Sequence, residues 1–171
     1  METALVFGSG PMGLLAGLAL RVRGAETVFM VDRDGARLEM ARAHGLEALA
    51  AGAAALAGLR QGCDLVVDAT GVPAVAAGLV DYTANGGAAL FFGVCPREAR
   101  IEIAPFEVFR RQLSLFGTHS LNHNIPEALR LIAEIGPAIE DIVTHRLTLD
   151  DIAGVLGGKP PAGSMKAQLA Q

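Results

Sequence analysis

Cysteine and aromatic residues are scarce in this chain of 171 residues, and long apolar runs are missing. The two cysteines, Cys63 and Cys95, do not form a Cys-x-x-Cys pair, so we expect no disulfide framework and a reducing, cytoplasmic setting. The longest uninterrupted apolar stretch, residues 48–59, is too short for a membrane span, which needs about 20 residues. The N-terminal sequence has no basic segment followed by an apolar one, as a secretory signal has.

An excess of positive charge is also missing. The chain has 14 Lys and Arg against 18 Asp and Glu, for a net charge of −4. This balance gives no reason to expect a nucleic acid or an anionic membrane as partner. Hydrophobic residues make up 51% of the chain, which argues against disorder, and the length suits one domain with a real core.

Short apolar segments alternate with longer helix-like segments along most of the chain. Strands are predicted at residues 4–7, 27–31, 47–49, 64–68, 88–93 and 113–117. Helices are predicted at residues 11–22, 35–44, 73–83 and 105–112, and an alanine-rich helix is predicted to end near residue 60. Four of the strands are apolar on both faces, which is typical of a parallel sheet covered by helices. The pattern therefore predicts an α/β fold with a six-stranded, doubly wound parallel sheet.

The pattern changes after residue 118. An amphipathic helix is predicted at residues 125–135, and a strand with a short helix begun by Asp150 or Asp151 at residues 144–152. A loop at residues 157–164 and a terminal strand at residues 165–170 follow. These last strands have no obvious partner in the parallel sheet. We therefore divide the chain into a domain of residues 1–120 and a C-terminal segment of residues 121–171.

Three glycines follow the first predicted strand with the spacing G-x-G-x-x-G. Gly8 permits a tight turn, Gly10 leaves room for a pyrophosphate beside the backbone, and Gly13 lets the helix lie close to the strand. Pro11 suits the first helical turn, where its missing N–H costs little. The motif predicts a diphosphate on the free N–H groups at the start of the helix.

An acidic residue ends the second predicted strand. Asp32 lies nineteen residues after Gly13, the position of a carboxylate that accepts the adenosine ribose hydroxyls of a dinucleotide. Asp34 is available to cap the next helix, so Asp32 is not needed for that role. A carboxylate at position 32 repels a 2′-phosphate and so favours NAD, whereas the neighbouring Arg33 accommodates such a phosphate and leaves NADP open.

Six segments, in this order, resemble the cofactor half of the medium-chain, zinc-dependent alcohol dehydrogenases. They are VFGSGPMGLLAGLAL, VDRDGARLEMARAHG, DLVVDATGVPA, GGAALFFGV, FRRQLSLFGTHS and IVTHRLTLDDI. The G-P-M-G form and the segment FEVFRRQLSLFGTHS are most similar to polyol and threonine dehydrogenases. The resemblance implies a Rossmann fold that binds NAD(H) and positions the nicotinamide for hydride transfer, with an alcohol or polyol as substrate.

The resemblance also implies a set of cofactor-binding positions. The glycine loop would hold the pyrophosphate, and Asp32 would bind the adenosine ribose with Arg37 assisting it. The end of the fourth strand would line the cofactor cleft, and the ends of the fifth and sixth strands would flank the nicotinamide. These ends lie where an open α/β sheet binds its ligand. The full set is Gly8, Gly10, Pro11, Met12, Gly13, Asp32, Arg33, Arg37, Ala69, Thr70, Phe92, Gly93, Val94 and Thr118.

One departure from the family is large. Family members carry much of their length ahead of the glycine loop, and that part contains the zinc ligands. Only Met-Glu-Thr precedes the first predicted strand in this chain. We therefore expect a fragment, with zinc only in an absent catalytic domain and with no catalytic residue or metal ligand of its own. Residues 121–171 would pack on that domain.

No second catalytic arrangement stands out. His119 and His123 have the spacing of a helical metal pair, but the asparagines and proline around them favour a loop. His44 is interpreted as a residue at a helix end. Tyr82 is not followed by a lysine four residues on, as in short-chain dehydrogenases, and a Gly-x-Ser-x-Gly elbow is absent.

Two other function classes stay open at this stage. A stand-alone NAD-sensing regulatory module uses a similar glycine loop and acid, and so does a methyltransferase. The later family segments favour the dehydrogenase over both. The predicted strand at residues 113–117 should form the edge of the sheet, and we expect a homodimer through it.

Overall fold

The computed structural model describes residues 1–119, 123–159 and 161–170. Its strands are β1 (Thr3–Phe7), β2 (Thr27–Asp32), β3 (Glu47–Ala50), β4 (Cys63–Asp68), β5 (Thr83–Phe91), β6 (Ser114–Gly117), β7 (Val143–Leu147) and β8 (Lys166–Leu169). Its α-helices are α1 (Pro11–Val22), α2 (Gly35–Ala43), α3 (Pro73–Tyr82), α4 (Pro105–Arg110), α5 (Ile125–Ile135) and α6 (Leu149–Leu156). Two 3₁₀ helices span Ala54–Leu59 and Pro137–Ile142.

Six parallel strands form the central sheet in the order β3-β2-β1-β4-β5-β6. The strand order reverses between β1 and β4, which is where sheets of this topology bind their ligands. The predicted six-stranded, doubly wound α/β fold is confirmed. β6 lies at one edge of the sheet, as predicted.

Alternate residues of β1 bury opposite faces of the sheet. Ala4 and Val6 pack in the core cluster that contains Leu14 and Leu18 of α1. Leu5 packs on the other side, in the cluster that contains Leu79 of α3. Because the strand is buried on both faces, it is apolar throughout and lacks the alternation of a half-exposed strand.

The structure corrects the prediction of an alanine-rich helix ending near residue 60. A six-residue 3₁₀ helix, Ala54–Leu59, occupies this place, and Leu56 is its buried side chain. Alanine and glycine offer too little apolar surface to bury a longer helix against the sheet.

The boundaries of β5 also differ from the prediction. The strand starts at Thr83 and ends at Phe91, whereas residues 88–93 were expected. Its first part contains Gly86, with φ 77°, and its pairing with β4 shifts register between Cys63 and Leu65. Such an irregular start does not follow the apolar pattern by which strands are recognised in sequence.

The C-terminal part forms a small unit with a two-stranded sheet of its own. β7 and β8 pair in parallel with each other, joined through α6, and α5 lies against α1. α6 begins after Thr148, not at Asp150 or Asp151, because the Thr148 hydroxyl accepts the N–H of Asp151 and the Asp151 carboxylate accepts the N–H of Thr148. The division between residues 120 and 121 falls outside the described residues and stays a prediction.

Apolar side chains of the C-terminal part face outward. Ile125, Leu129 and Ile132 of α5 are exposed, and Leu156 of α6 is 84% exposed. In the part of the chain that the structure describes, no helix has both the length and the apolar character needed to cross a membrane.

Candidate functional site

The glycine loop joins β1 to α1 at the point where the strand order reverses. Gly8 has φ 97°, and its N–H donates to the Val31 carbonyl at 2.7 Å. A Cβ on Gly13 would lie 2.9 Å from the Gly8 carbonyl carbon and nearer still to its oxygen. A Cβ on Gly10 would meet only the Arg37 guanidinium, at 3.6 Å. Gly13 is therefore needed for packing, whereas Gly10 keeps a surface of the loop open.

The first turn of α1 offers unpaired backbone donors. Gly10 precedes the helix, no side chain caps it, and Pro11 occupies the first turn. The first turn has no acidic residue. The free N–H groups and the helix dipole both favour a negatively charged group in front of this turn.

The carboxylate of Asp32 is held in place beside this loop. One oxygen accepts the Ser9 N–H at 2.7 Å, and the other accepts the N–H groups of Arg33 and Asp34 at 2.7 and 2.9 Å. The Arg37 guanidinium lies 3.8 Å from the carboxylate. The side chain is 13% exposed, so it remains reachable at the cleft.

Asp34 caps α2, as predicted. Its carboxylate accepts the N–H of Ala36 at 2.9 Å. The Arg37 guanidinium lies 3.7 Å from the same carboxylate, so Arg37 bridges the two acidic residues. Asp32 is thereby free of the capping role.

A first cleft of about 400 Å³, which we call the charged cleft, lies between the glycine loop, β2 and α3. It brings together half of the predicted residues: Gly8, Gly10, Asp32, Arg33, Arg37, Ala69 and Thr70. The sequence analysis missed the other lining residues, Phe7, Val31, Ala51, Val72 and Val75. Three of these lie at or next to the carboxyl ends of β1, β2 and β3, a position that the strand pattern already indicates.

A second cleft of about 610 Å³, the neutral cleft, continues from the first across Ala69 and Thr70. It collects five of the seven remaining predicted residues: Met12, Phe92, Gly93, Val94 and Thr118. His119 and Asn124 also line it and were not predicted to do so. Pro11 and Gly13 line neither cleft: Pro11 borders a cavity beside β7 and β8, and Gly13 packs beneath Gly8.

The turn after β4 forms the boundary between the two clefts. The buried Asp68 carboxylate accepts the Thr70 N–H at 2.8 Å and the Thr70 hydroxyl at 2.6 Å. Gly71, with φ 69°, packs so closely on Val94 that a Cβ would lie 2.8 Å from its carbonyl carbon. Asp68 therefore holds the turn in place, and the need for glycine at position 71 was not evident from the sequence.

Zinc does not fit the residues that the structure describes. In residues 1–119, 123–159 and 161–170, no three His, Cys, Asp or Glu side chains come together as metal ligands. His119 lines the neutral cleft, and the residues between it and His123 lie outside the described part. His44, the C-cap of α2, lies with its ring nitrogens 2.8 Å from the carbonyl oxygens of Met40 and Ala138.

The two cysteine thiols lie in different environments. Cys63 is fully buried at the start of β4, whereas Cys95 is half-buried. Burial, and then the neighbouring Asp64 charge, raise the pKa of the Cys63 thiol to about 11. Cys63 is thus protonated at neutral pH and unsuited to act as a nucleophile.

Comparison with known proteins identifies dehydrogenases as relatives of this chain. The model of the family described as "Zinc-binding dehydrogenase" matches residues 11–134. The chain is 48% identical over 171 residues to D-altritol 5-dehydrogenase of Agrobacterium fabrum, covering 99% of this chain and 51% of the relative. It is 28% identical over 159 residues to an L-threonine 3-dehydrogenase of Rhizobium johnstonii, covering 88% and 45%. The chain spans about half the length of these relatives.

Solved structures share the fold. A zinc-binding dehydrogenase from Sinorhizobium meliloti bound to NADP superposes with a TM-score of 0.86 at 24% identity, covering 99% of this chain and 52% of that one. An alcohol dehydrogenase from E. coli complexed with NADH gives 0.86 at 20% identity, with the same coverage. The family match, the strand order and the glycine loop lead to one conclusion: this chain belongs to the zinc-binding dehydrogenase family.

Proposed function

We propose that this chain binds NAD(H) along the charged and neutral clefts. The observation that carries the proposal is the fixed Asp32 carboxylate beside the open side of Gly10. The charged cleft offers helix N–H groups for a diphosphate and a carboxylate for ribose hydroxyls. The neutral cleft offers an apolar floor for a flat ring. This order of groups matches the order along a dinucleotide.

We further propose NAD as the preferred cofactor over NADP. A free 2′-hydroxyl donates a hydrogen bond to Asp32, whereas a 2′-phosphate would meet its negative charge. Arg33 and Arg37 reduce this repulsion, but Arg37 is shared with Asp34. One related fold was solved with NADP and another with NADH, so the architecture accommodates either cofactor.

In the whole dehydrogenase, the proposed role of this chain is to hold the nicotinamide for hydride transfer. The similarity to a D-altritol dehydrogenase supports a polyol as the substrate class. Family membership favours this role over an NAD-sensing regulatory module or a methyltransferase. The described residues do not fit zinc, so no catalytic step through a metal is assigned to them.

A homodimer through β6 and a cytoplasmic location complete the proposal. β6 is an edge strand whose four residues are all exposed, including Phe116 at 55%. Phe109 of the neighbouring α4 is 79% exposed. Unpaired strand edges with apolar side chains seek partners. Light scattering at high protein concentration tests the dimer, and a monomer under these conditions would contradict it.

The proposed function is tested by titrating the chain with NADH and following cofactor fluorescence. We expect saturable binding, and Asp32→Asn should weaken it about 10- to 100-fold, because hydrogen bonds to a charged acceptor contribute about 1.5–3 kcal/mol. NADPH binding should weaken less. Asp34→Ser serves as the control, since it removes a neighbouring charge and keeps a helix cap. No binding at millimolar NADH, or an unaffected Asp32→Asn variant, would contradict the proposal.

A further inference from the structure

A buried carboxylate lies at the boundary between the two clefts. Asp68 ends β4, and its side chain is fully buried. One of its oxygens accepts the Thr70 N–H at 2.8 Å and the Thr70 hydroxyl at 2.6 Å, and both oxygens lie 3.3 Å from the Gly71 nitrogen. These donors offset the cost of burying a charge, so the turn cannot open without leaving the carboxylate unsatisfied.

The same turn packs on the end of β5. The Asp68 carbonyl accepts the N–H groups of Phe92 and Gly93 at 3.1 and 2.6 Å. A Cβ on Gly71 would lie 2.8 Å from the Val94 carbonyl carbon, and a Cβ on Gly93 would lie 2.9 Å from the Gly71 Cα. Phe92, Gly93 and Val94 line the neutral cleft, so the position of this wall depends on the turn that Asp68 closes.

The glycine loop is fixed by other contacts. The Gly8 N–H donates to the Val31 carbonyl, and the Ser9 N–H donates to the Asp32 carboxylate, both at 2.7 Å. Neither hydrogen bond involves the turn after β4. Asp68 itself lines neither cleft, as the described residues form them. A change at Asp68 therefore reaches a ligand only through the turn, and it acts on the neutral cleft more than on the charged cleft.

We propose that Asp68 is a positioning residue, which acts through Thr70 and Gly71 to set the placement of the neutral cleft relative to the charged cleft. The inference rests on the proposed function, because it assumes a ligand that spans both clefts. When two halves of one ligand are linked, the second half adds affinity only if both halves reach their places at once. A neutral cleft that is displaced relative to the charged cleft loses this gain, even when each cleft stays intact.

The test compares two ligands of different reach. ADP carries the adenosine and the diphosphate and ends there, whereas NADH continues beyond the diphosphate. Asp68→Asn keeps the size of the side chain but removes its charge, and its amide nitrogen cannot accept the Gly71 N–H. In calorimetric titrations of the full chain, this variant should bind NADH about 3- to 10-fold more weakly, the effect of one lost hydrogen bond, and bind ADP like the wild type.

Fluorescence provides a second measurement of the same effect. The emission of bound NADH depends on the surroundings of its reduced ring. In Asp68→Asn at saturating NADH, the emission should move towards that of the free cofactor. A purely structural role for Asp68 would lower the melting temperature and weaken both ligands equally, without changing the emission of the NADH that still binds.

A pair of substitutions at Thr70 tests the link in an exposed side chain, where folding is not at risk. Thr70→Ser keeps the hydroxyl that donates to Asp68, whereas Thr70→Val keeps the shape and loses this hydrogen bond. The ratio of NADH affinity to ADP affinity should fall more in Thr70→Val than in Thr70→Ser. The opposite order would contradict the proposal, because it would show that the methyl group matters and the link to Asp68 does not.

Asp64→Asn is the matched control. Asp64 lies on the same strand at its other end, and its carboxylate also accepts two backbone N–H groups. The same substitution there should leave both affinities unchanged.

The possible failures are distinguishable. If neither NADH nor ADP binds to the wild-type chain, the proposed function fails. If both bind, but Asp68→Asn and Thr70→Val leave the ratio of the two affinities unchanged, the positioning role of Asp68 is overturned while the proposed function stands.

Discussion

Adding one methyl group should affect different properties at two glycines of the same loop. At Gly10 it should weaken cofactor binding, and at Gly13 it should lower the stability of the fold. At Gly10 the backbone has φ −66° and ψ 180°, a conformation that alanine adopts readily. The nearest atom to the new Cβ would be the Arg37 guanidinium nitrogen at 3.6 Å, an ordinary contact. Gly10→Ala should therefore change the free energy of unfolding by less than about 1 kcal/mol.

At Gly13 the same methyl group meets the protein backbone. Its Cβ would lie 2.9 Å from the Gly8 carbonyl carbon and 3.3 Å from the Ala69 Cβ. Backbone atoms cannot rotate away, so the start of α1 must separate from β1. We expect a loss of about 3 kcal/mol, the upper part of the usual range for overpacking. For a domain of this size that lowers the melting temperature by about 6–12 °C.

The cofactor affinities should rank differently from the stabilities. In Gly10→Ala the methyl group occupies the open side of the loop where the pyrophosphate approaches, so NADH should bind about 10- to 100-fold more weakly, a cost of about 1–3 kcal/mol. ADP-ribose should lose as much, because it carries the same diphosphate. Thermal unfolding followed by circular dichroism and NADH fluorescence titration provide the two measurements. A Gly10→Ala variant with wild-type affinity, or a Gly13→Ala variant with wild-type stability, would refute this account of the loop.

Three further predictions concern residues away from the cleft. Arg111 is buried and donates to carbonyl groups at the end of α3 and the start of β5. Arg111→Met should therefore lower the free energy of unfolding by about 2–4 kcal/mol, and an unchanged midpoint in a denaturant titration would refute this. Cys95 should react with a thiol reagent at pH 8 in the folded protein, whereas Cys63 should react only after unfolding, because its burial and raised pKa protect the thiol. Mass spectrometry of the labelled peptides distinguishes the two cysteines. The Asp64 carboxylate accepts the backbone N–H groups of Glu2 and Thr3, and these hydrogen bonds lower its pKa in the folded protein. The ionised carboxylate therefore stabilises the fold at pH values above its unfolded pKa of about 3.9, and this contribution is lost as the pH falls through the lower folded pKa. Asp64→Asn should therefore lower the free energy of unfolding at pH 7, by less than about 1 kcal/mol for a half-buried group near solvent, and should make no difference near pH 2; an equal loss at both pH values would contradict this account.

The cleft shows which part of a site can be predicted from sequence. The glycine loop and Asp32 were identified because their chemistry depends on residue type at fixed spacing, and the structure brings them together around the end of β1. His119 and Asn124 were not assigned to the cleft, since neither has a fixed spacing from the loop. Their position depends on how the chain after β6 returns towards α1.

The sequence by itself determined the parallel α/β sheet, the order of its elements and the turn that starts α1. These follow from local causes: strands buried on both faces must be apolar throughout, and tight turns need glycine. Only the tertiary structure decided the 3₁₀ helix at Ala54–Leu59, the early start of β5, the pairing of β7 with β8 and the walls of the two clefts. Each of these depends on contacts between segments far apart in the chain, whose packing outweighs the weak preferences of the local sequence.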